Sequence, residues 1–76
     1  MNYEEWLKST EFGLKTKYKV TNIVINNNGM RIDFANNFHY GINTYALKGL
    51  WQIDNGFDEL CNDIEKEYLS QIRREL

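Results

Sequence analysis

The sequence contains no proline, one cysteine and one histidine, and its hydrophobic runs are far shorter than the ~20 residues that span a bilayer. A lone cysteine excludes an internal disulfide and a cysteine-based metal cluster, and it is typical of proteins from a reducing compartment. Residues 1–5 lack the basic and apolar regions of a secretory signal peptide. We therefore expect a cytoplasmic protein that does not associate with a membrane.

The composition is that of an ordinary globular domain, with 42% hydrophobic and 26% charged residues. We expect residues 1–76 to form a single domain with a small core, because chains of this length bury only about 60% of their unfolded surface. The net charge of −2 argues against a protein that binds polyanions over its whole surface. We do not expect a nucleic acid partner.

The N-terminal segment carries the signals of a first helix. Asn2 can cap this helix and Gly13 can end it, so residues 2–11 are predicted to be helical. Lysines alternate in the segment that follows, which we predict to be an early strand. On one face of a strand they would either protect a sheet edge or contact phosphate. These residues are Lys15, Lys17 and Lys19.

Residues 17–42 are predicted to form strands, because apolar and polar residues alternate there. The Asn28-Gly29 pair favours a type I′ hairpin turn, which requires positive φ at both central residues. A two-residue loop at this position places the large apolar side chains of both strands on one face. The pairs that this register predicts are Ile25 with Ile32 and Ile23 with Phe34.

Two further features are needed to keep the apolar residues on that face. At the start of the first strand, Tyr18 and Val20 would face the opposite side from Ile23 and Ile25. A bulge near Thr21 or Asn22 would bring all four side chains to one face. A three-residue loop with Asn37 in the left-handed conformation would place Ile32 opposite Tyr40. The segment is therefore predicted to be a three-stranded antiparallel meander with one apolar face.

Two helices are predicted to follow the strands. Asn43 or Thr44 can cap the first, and Asn55-Gly56 can end it. The last helix is predicted to run from about residue 57 to residue 75, with apolar residues at helical spacing. The order α-β-β-β-α-α and the single apolar sheet face predict a two-layer α+β fold. Its predicted core contains Ile23, Ile25, Ile32, Phe34, Ile64, Tyr68 and Ile72.

The last helix also carries a row of carboxylates. Glu59, Asp63 and Glu67 stand at i, i+4 and i+8, and Asp58 flanks them. Like charges at this spacing destabilise a helix by about 0.2–0.5 kcal/mol per pair. The row is either a solvated face that suits the helix dipole, or a partner-binding site for the basic surface of another protein.

The sequence offers no catalytic, metal-binding or cofactor-binding motif. Cys61 is predicted on the apolar face of its helix, where a thiol stays protonated and unreactive. His39 is predicted on the polar side of the third strand. We therefore expect a protein that is not an enzyme and binds neither a metal nor a cofactor.

Three segments carry a resemblance to a known family. They are residues 22–29 (NIVINNNG), 46–51 (ALKGLW) and 58–64 (DELCNDI). Together with the element order and the acidic last helix, they resemble the small phage-encoded anti-CRISPR proteins that inhibit type II-A RNA-guided DNA nucleases. The resemblance implies a non-enzymatic inhibitor in the host cytoplasm, whose carboxylates take the place of DNA phosphates on the nuclease. By position, the resemblance implies this role for Asp58, Glu59 and Asp63.

Two other classes of function remain open at this point. The order α-β-β-β-α is also that of double-stranded-RNA-binding domains, but these hold phosphates with the start of their last helix, where this chain has Asp58 and Glu59. A structural or dimerising small domain of a phage or bacterium is the other alternative.

Overall fold

The architecture combines helices with one open antiparallel sheet. In residues 1–35 and 37–75, which the computed structural model describes, there are three helices and three strands, and side chains are described as far as Tyr68. The predicted α+β fold and its order α-β-β-β-α-α are confirmed. The elements are α1 (Tyr3–Lys17), β1 (Val20–Asn26), β2 (Gly29–Phe34), β3 (His39–Asn43), α2 (Thr44–Trp51) and α3 (Gly56–Glu75).

Helix α1 begins as predicted but is longer than predicted. Asn2 caps it, since its side chain accepts from the Glu5 N–H at 2.8 Å and the Glu5 carboxylate accepts from the Asn2 N–H at 3.2 Å. Gly13 does not end the helix. A Cβ at this position would lie 2.8 Å from the Phe57 ring, so Gly13 lets α3 pack closely against α1. The strand predicted for Lys15, Lys17 and Lys19 is wrong, because the first two lie in α1 and Lys19 precedes β1.

The β1–β2 hairpin keeps the predicted faces but not the predicted pairs. Its two-residue loop is residues 27–28, so Ile25 pairs with Met30 and Ile23 with Ile32. This register differs from the predicted one by two residues, which leaves every side chain on its expected face. Gly29 has φ of 146°, and a Cβ there would overlap the Ile42 carbonyl oxygen of β3. Glycine is therefore favoured both by this φ and by the contact with the next strand, and it does not form part of a type I′ turn.

The bulge and the second turn follow the sequence prediction. The β1–β2 register shifts between Val20 and Asn22, which places a bulge at Thr21. Asn37 is left-handed with φ of 68°, and Ile32 pairs with Tyr40. The strand order is β1-β2-β3, so β2 is central.

Helix α2 connects the sheet to α3 and also packs against α1. Asn43 caps it through a 2.9 Å bond from the Ala46 N–H. The Tyr3 and Trp51 rings lie 5.5 Å apart, and Trp51 Nε1 donates to the Met1 carbonyl at 3.1 Å. Gly56, the first residue of α3, is buried where a Cβ would overlap the Leu50 carbonyl oxygen.

The core lies between the helices and one face of the sheet. Of the predicted core residues, Ile32, Phe34 and Ile64 are buried, whereas Ile23, Ile25 and Tyr68 are half-buried at its margin; Ile72 lies outside the described side chains. The most buried hydrophobic residues also include Leu7, Leu14, Met30, Tyr40, Leu47, Leu60 and Cys61. None of the described helices has both the length and the hydropathy needed to cross a membrane.

Candidate protein-interaction surface

The carboxylates singled out in the sequence lie together on the solvent side of α3. Asp58, Glu59, Asp63 and Glu67 are all exposed, and we refer to these four side chains as the acidic strip. Successive members at i, i+4 and i+8 are spaced by one helical turn, which is about 6 Å along the axis. Among the described side chains, no lysine, arginine or histidine nitrogen lies within 4.0 Å of these carboxylates. The strip is therefore mainly negative, and Lys66, which is exposed on the same helix three residues after Asp63, forms no ion pair with it.

The middle of the acidic strip contacts the edge strand β3 through a tyrosine. The Tyr40 hydroxyl donates to Asp63 Oδ2 at 3.2 Å. Burial, followed by the charges of Asp63 and Glu67, raises the pKa of Tyr40 well above its usual value. The phenol therefore remains a donor, and it ties the middle of the strip to the sheet. The signal in the sequence was a tyrosine on the core face of a strand, since a buried hydroxyl needs a partner.

A fifth carboxylate of α3 points in another direction. Glu65 accepts from the Tyr18 hydroxyl at 2.8 Å, and its Oε2 lies 3.8 Å from Lys17 Nζ. Burial and this hydrogen bond raise the pKa of Tyr18. Glu65 therefore joins α3 to the end of α1 and is not part of the acidic strip.

A cleft of about 690 Å³ lies on this other side of α3. Its walls are partly aromatic, and its charged groups are two lysines and one carboxylate. Because Glu65 offsets Lys17, the positive charge of the cleft comes from Lys19 alone. Its lining residues are Lys17, Tyr18, Lys19, Phe34, Ala35, Ile64, Glu65 and Tyr68.

The open face of the sheet carries a small charged network. Asp33 Oδ1 lies 2.8 Å from His39 Nδ1 and accepts from Arg31 Nε at 3.0 Å. The hydrogen bond with His39, and then the bond from Arg31, lower the pKa of Asp33. His39 is exposed on this face, as predicted, while Cys61 is 1% exposed in the core on α3. The two side chains therefore lie on opposite sides of the sheet and cannot act as a nucleophile and its base.

Within the part of the chain that the structure describes, no group of three or more histidine, cysteine, aspartate or glutamate side chains is placed to hold a metal ion. The carboxylates of the acidic strip do not form such a group, because they are spread along α3 and do not converge. Its geometry suits a long, shallow contact with another macromolecule.

Comparisons with protein-family models, with curated proteins and with solved structures find no match to this chain.

Proposed function

We propose that the chain is a non-enzymatic protein-binding domain that inhibits its partner by laying the acidic strip against a basic surface. The observation that carries this proposal is a row of exposed carboxylates with no cation within 4.0 Å among the described side chains. A face that is merely solvated gains from alternating charges at i and i+4, whereas Glu59, Asp63 and Glu67 repeat one sign at that spacing and only Lys66 offsets them within this part of α3. The repulsion would be relieved when a basic partner binds.

The partner class that fits this surface is a protein that itself binds nucleic acid. Carboxylates spaced by about 6 Å along a rigid helix present a linear array of negative charge to a groove that normally receives phosphates. A type II-A RNA-guided DNA nuclease is such a protein, and it is the target that the resemblance to anti-CRISPR proteins implies. In this role the chain would compete with DNA for the groove, and the competition would weaken as salt is added.

The direct test is cleavage of a target duplex by a type II-A RNA-guided nuclease loaded with its guide RNA. The chain should slow cleavage when it is added before the DNA and have little effect once the DNA is bound. The double reversal Glu59→Lys with Asp63→Lys should weaken inhibition by about tenfold or more at low salt, because charge contacts across an interface are removed and reversed.

A second double reversal, Glu4→Lys with Glu11→Lys, is the control for net charge, because it makes the same change on α1; it also breaks the 2.8 Å ion pair of Glu11 with Lys15, so its stability is measured as well. Circular dichroism should show that both variants remain folded. Equal inhibition by the parent and by the α3 double reversal would contradict the proposal. So would an equal loss in the α1 control, since net charge alone would then explain the effect.

A further inference from the structure

Strand β3 has one free edge, and its backbone groups point into solvent there. The Phe34 N–H donates to the Phe38 carbonyl at 2.9 Å, so this opposed pair is hydrogen-bonded. Hydrogen-bonded and non-bonded pairs alternate in an antiparallel ladder. The pairs of His39 with Asp33 and Gly41 with Arg31 are therefore non-bonded, and the N–H and C=O groups of His39 and Gly41 face away from β2.

Among the side chains that the structure describes, which extend as far as Tyr68, none hydrogen-bonds to this edge. His39 and Gly41 are both exposed, and no described donor or acceptor bonds to their outward groups. A Cβ at Gly41 would meet no atom within 4 Å. Natural edge strands are usually protected by a lysine, a proline or a bulge, whereas residues 39–43 (HYGIN) contain no lysine and no proline, and the β2–β3 register runs without a shift.

Two carboxylates of the acidic strip, Asp63 and Glu67, lie near this edge. Tyr40 is the β3 residue between His39 and Gly41, and its hydroxyl donates to Asp63. The charge of Glu67 also acts on Tyr40. A strand added next to β3 would therefore direct every second side chain to the α3 side of the sheet, where these two carboxylates lie. Basic side chains at those positions would be favoured.

The other edge of the sheet is less suited to the same partner. Strand β1 carries a bulge at Thr21, and Lys17 and Lys19 precede it. Bulges obstruct strand addition, and the lysines would repel a basic segment.

We infer that the partner surface bound by the acidic strip includes an extended basic segment, which adds to β3 as a further antiparallel or parallel strand. This inference rests on the proposed function and specifies its partner. The outward backbone groups of His39 and Gly41 bind the segment's main chain, while Asp63 and Glu67 select basic side chains at alternate positions. Main-chain bonds thus provide affinity, and the carboxylates provide specificity.

The probe is a capped peptide of about nine alternating lysine and threonine residues, long enough to cover a strand of this length. Its matched control is the same peptide with glutamate in place of lysine. Hydrogen exchange of the amides of His39 and Gly41, followed by NMR, should slow at least about tenfold at saturating basic peptide, because open amides become hydrogen-bonded. No slowing of either amide, or equal slowing with the glutamate peptide, overturns the inference.

Variants separate this inference from the proposed function. Gly41→Pro removes the outward N–H at a position where an edge strand tolerates proline, and it should weaken peptide binding by about two- to tenfold. Gly41→Ala keeps the N–H and should bind as the parent does. Asp63→Asn with Glu67→Gln should also weaken binding, and more so at low salt.

If the carboxylate variant loses binding while Gly41→Pro and both amides are unaffected, strand addition is refuted and the acidic strip remains the binding site. If the carboxylate variant binds as tightly as the parent, the selection of basic segments is refuted together with the proposed use of the strip.

Discussion

Two glycines at helical positions should respond to alanine in opposite directions. Gly49 lies in the middle of α2 and is exposed, and a Cβ added there would have no atom within 4 Å. Gly56 is the first residue of α3, where a Cβ would overlap the Leu50 carbonyl oxygen and lie 2.8 Å from the Leu50 carbonyl carbon. The same added methyl group therefore meets open space at one site and backbone at the other.

The expected magnitudes follow from these surroundings. Gly49→Ala should stabilise the protein by about 0.8–1.0 kcal/mol, because alanine loses less backbone entropy in a helix and meets no neighbour here. For a chain of this size, that gain corresponds to a rise in Tm of roughly 4–8 °C. Gly56→Ala should destabilise by about 1–3 kcal/mol, because α2 and α3 must separate to make room for the methyl group.

Urea unfolding measures both changes. The fluorescence of Trp6 and Trp51, both half-buried, should report the transition. The midpoint should move up for Gly49→Ala and down for Gly56→Ala, with the slope of the free energy against urea unchanged. A Gly49→Ala protein less stable than the parent would refute the argument from open space. A Gly56→Ala protein of parental stability would refute the close contact between α2 and α3.

Three further predictions concern single side chains. Ile64→Ala should cost about 2–5 kcal/mol in urea unfolding, because the side chain is 2% exposed in the core, and a loss below about 0.5 kcal/mol would contradict that packing. His39→Ala should raise the pKa of Asp33 towards its ordinary value, as measured by NMR titration. Because the pKa of Asp33 is lowered in the folded state, ionised Asp33 stabilises the fold above pH ~4. This stabilisation is lost as the pH falls through the lowered pKa. Tyr40→Phe should cost about 0.5–1.5 kcal/mol through loss of the hydrogen bond to Asp63, whereas an unchanged unfolding midpoint would show that this bond adds nothing.

Local chemistry predicted much of this fold. The cap at Asn2, the left-handed Asn37 and the bulge at Thr21 each depend on residues close in sequence, and each is present. The register of β3 against β2 followed from the turn at Asn37, because a single residue with positive φ fixes the loop length.

The errors concern three glycines. Gly56 was predicted to end α2 but is the first residue of α3, because α2 already ends at Trp51. The other two glycines have neighbours that are remote in sequence. Gly13 has the local character of a helix end, but it is needed because the Phe57 ring packs against α1. Gly29 was assigned to a hairpin turn; its φ of 146° favours glycine locally, and the Ile42 carbonyl of β3 also lies where a Cβ would be. In both cases the neighbour is remote in sequence, so no short pattern could identify it. The error at Gly29 changed the pairs but not the faces, because the shift was two residues.

The acidic strip was predictable because helical spacing alone aligns its residues. Its position beside β3 was not, since it depends on the hydroxyl of Tyr40 reaching Asp63 across two layers. Helical spacing also separates Glu65 from Asp63 and Glu67, since residues two positions apart do not face each other, but its partner Tyr18 is 47 positions away in the sequence and could not be predicted.

The buried thiol of Cys61 can report how often α3 opens away from the sheet. The side chain is 1% exposed on the inner side of α3, and it is the sole cysteine of the sequence. An alkylating reagent can reach the sulfur only in molecules where α3 has lifted from the sheet. When closing is faster than labelling, the rate of modification is proportional to the population of that open form. Labelling in the absence and presence of a partner would therefore show how firmly binding holds α3 in place, without a single substitution.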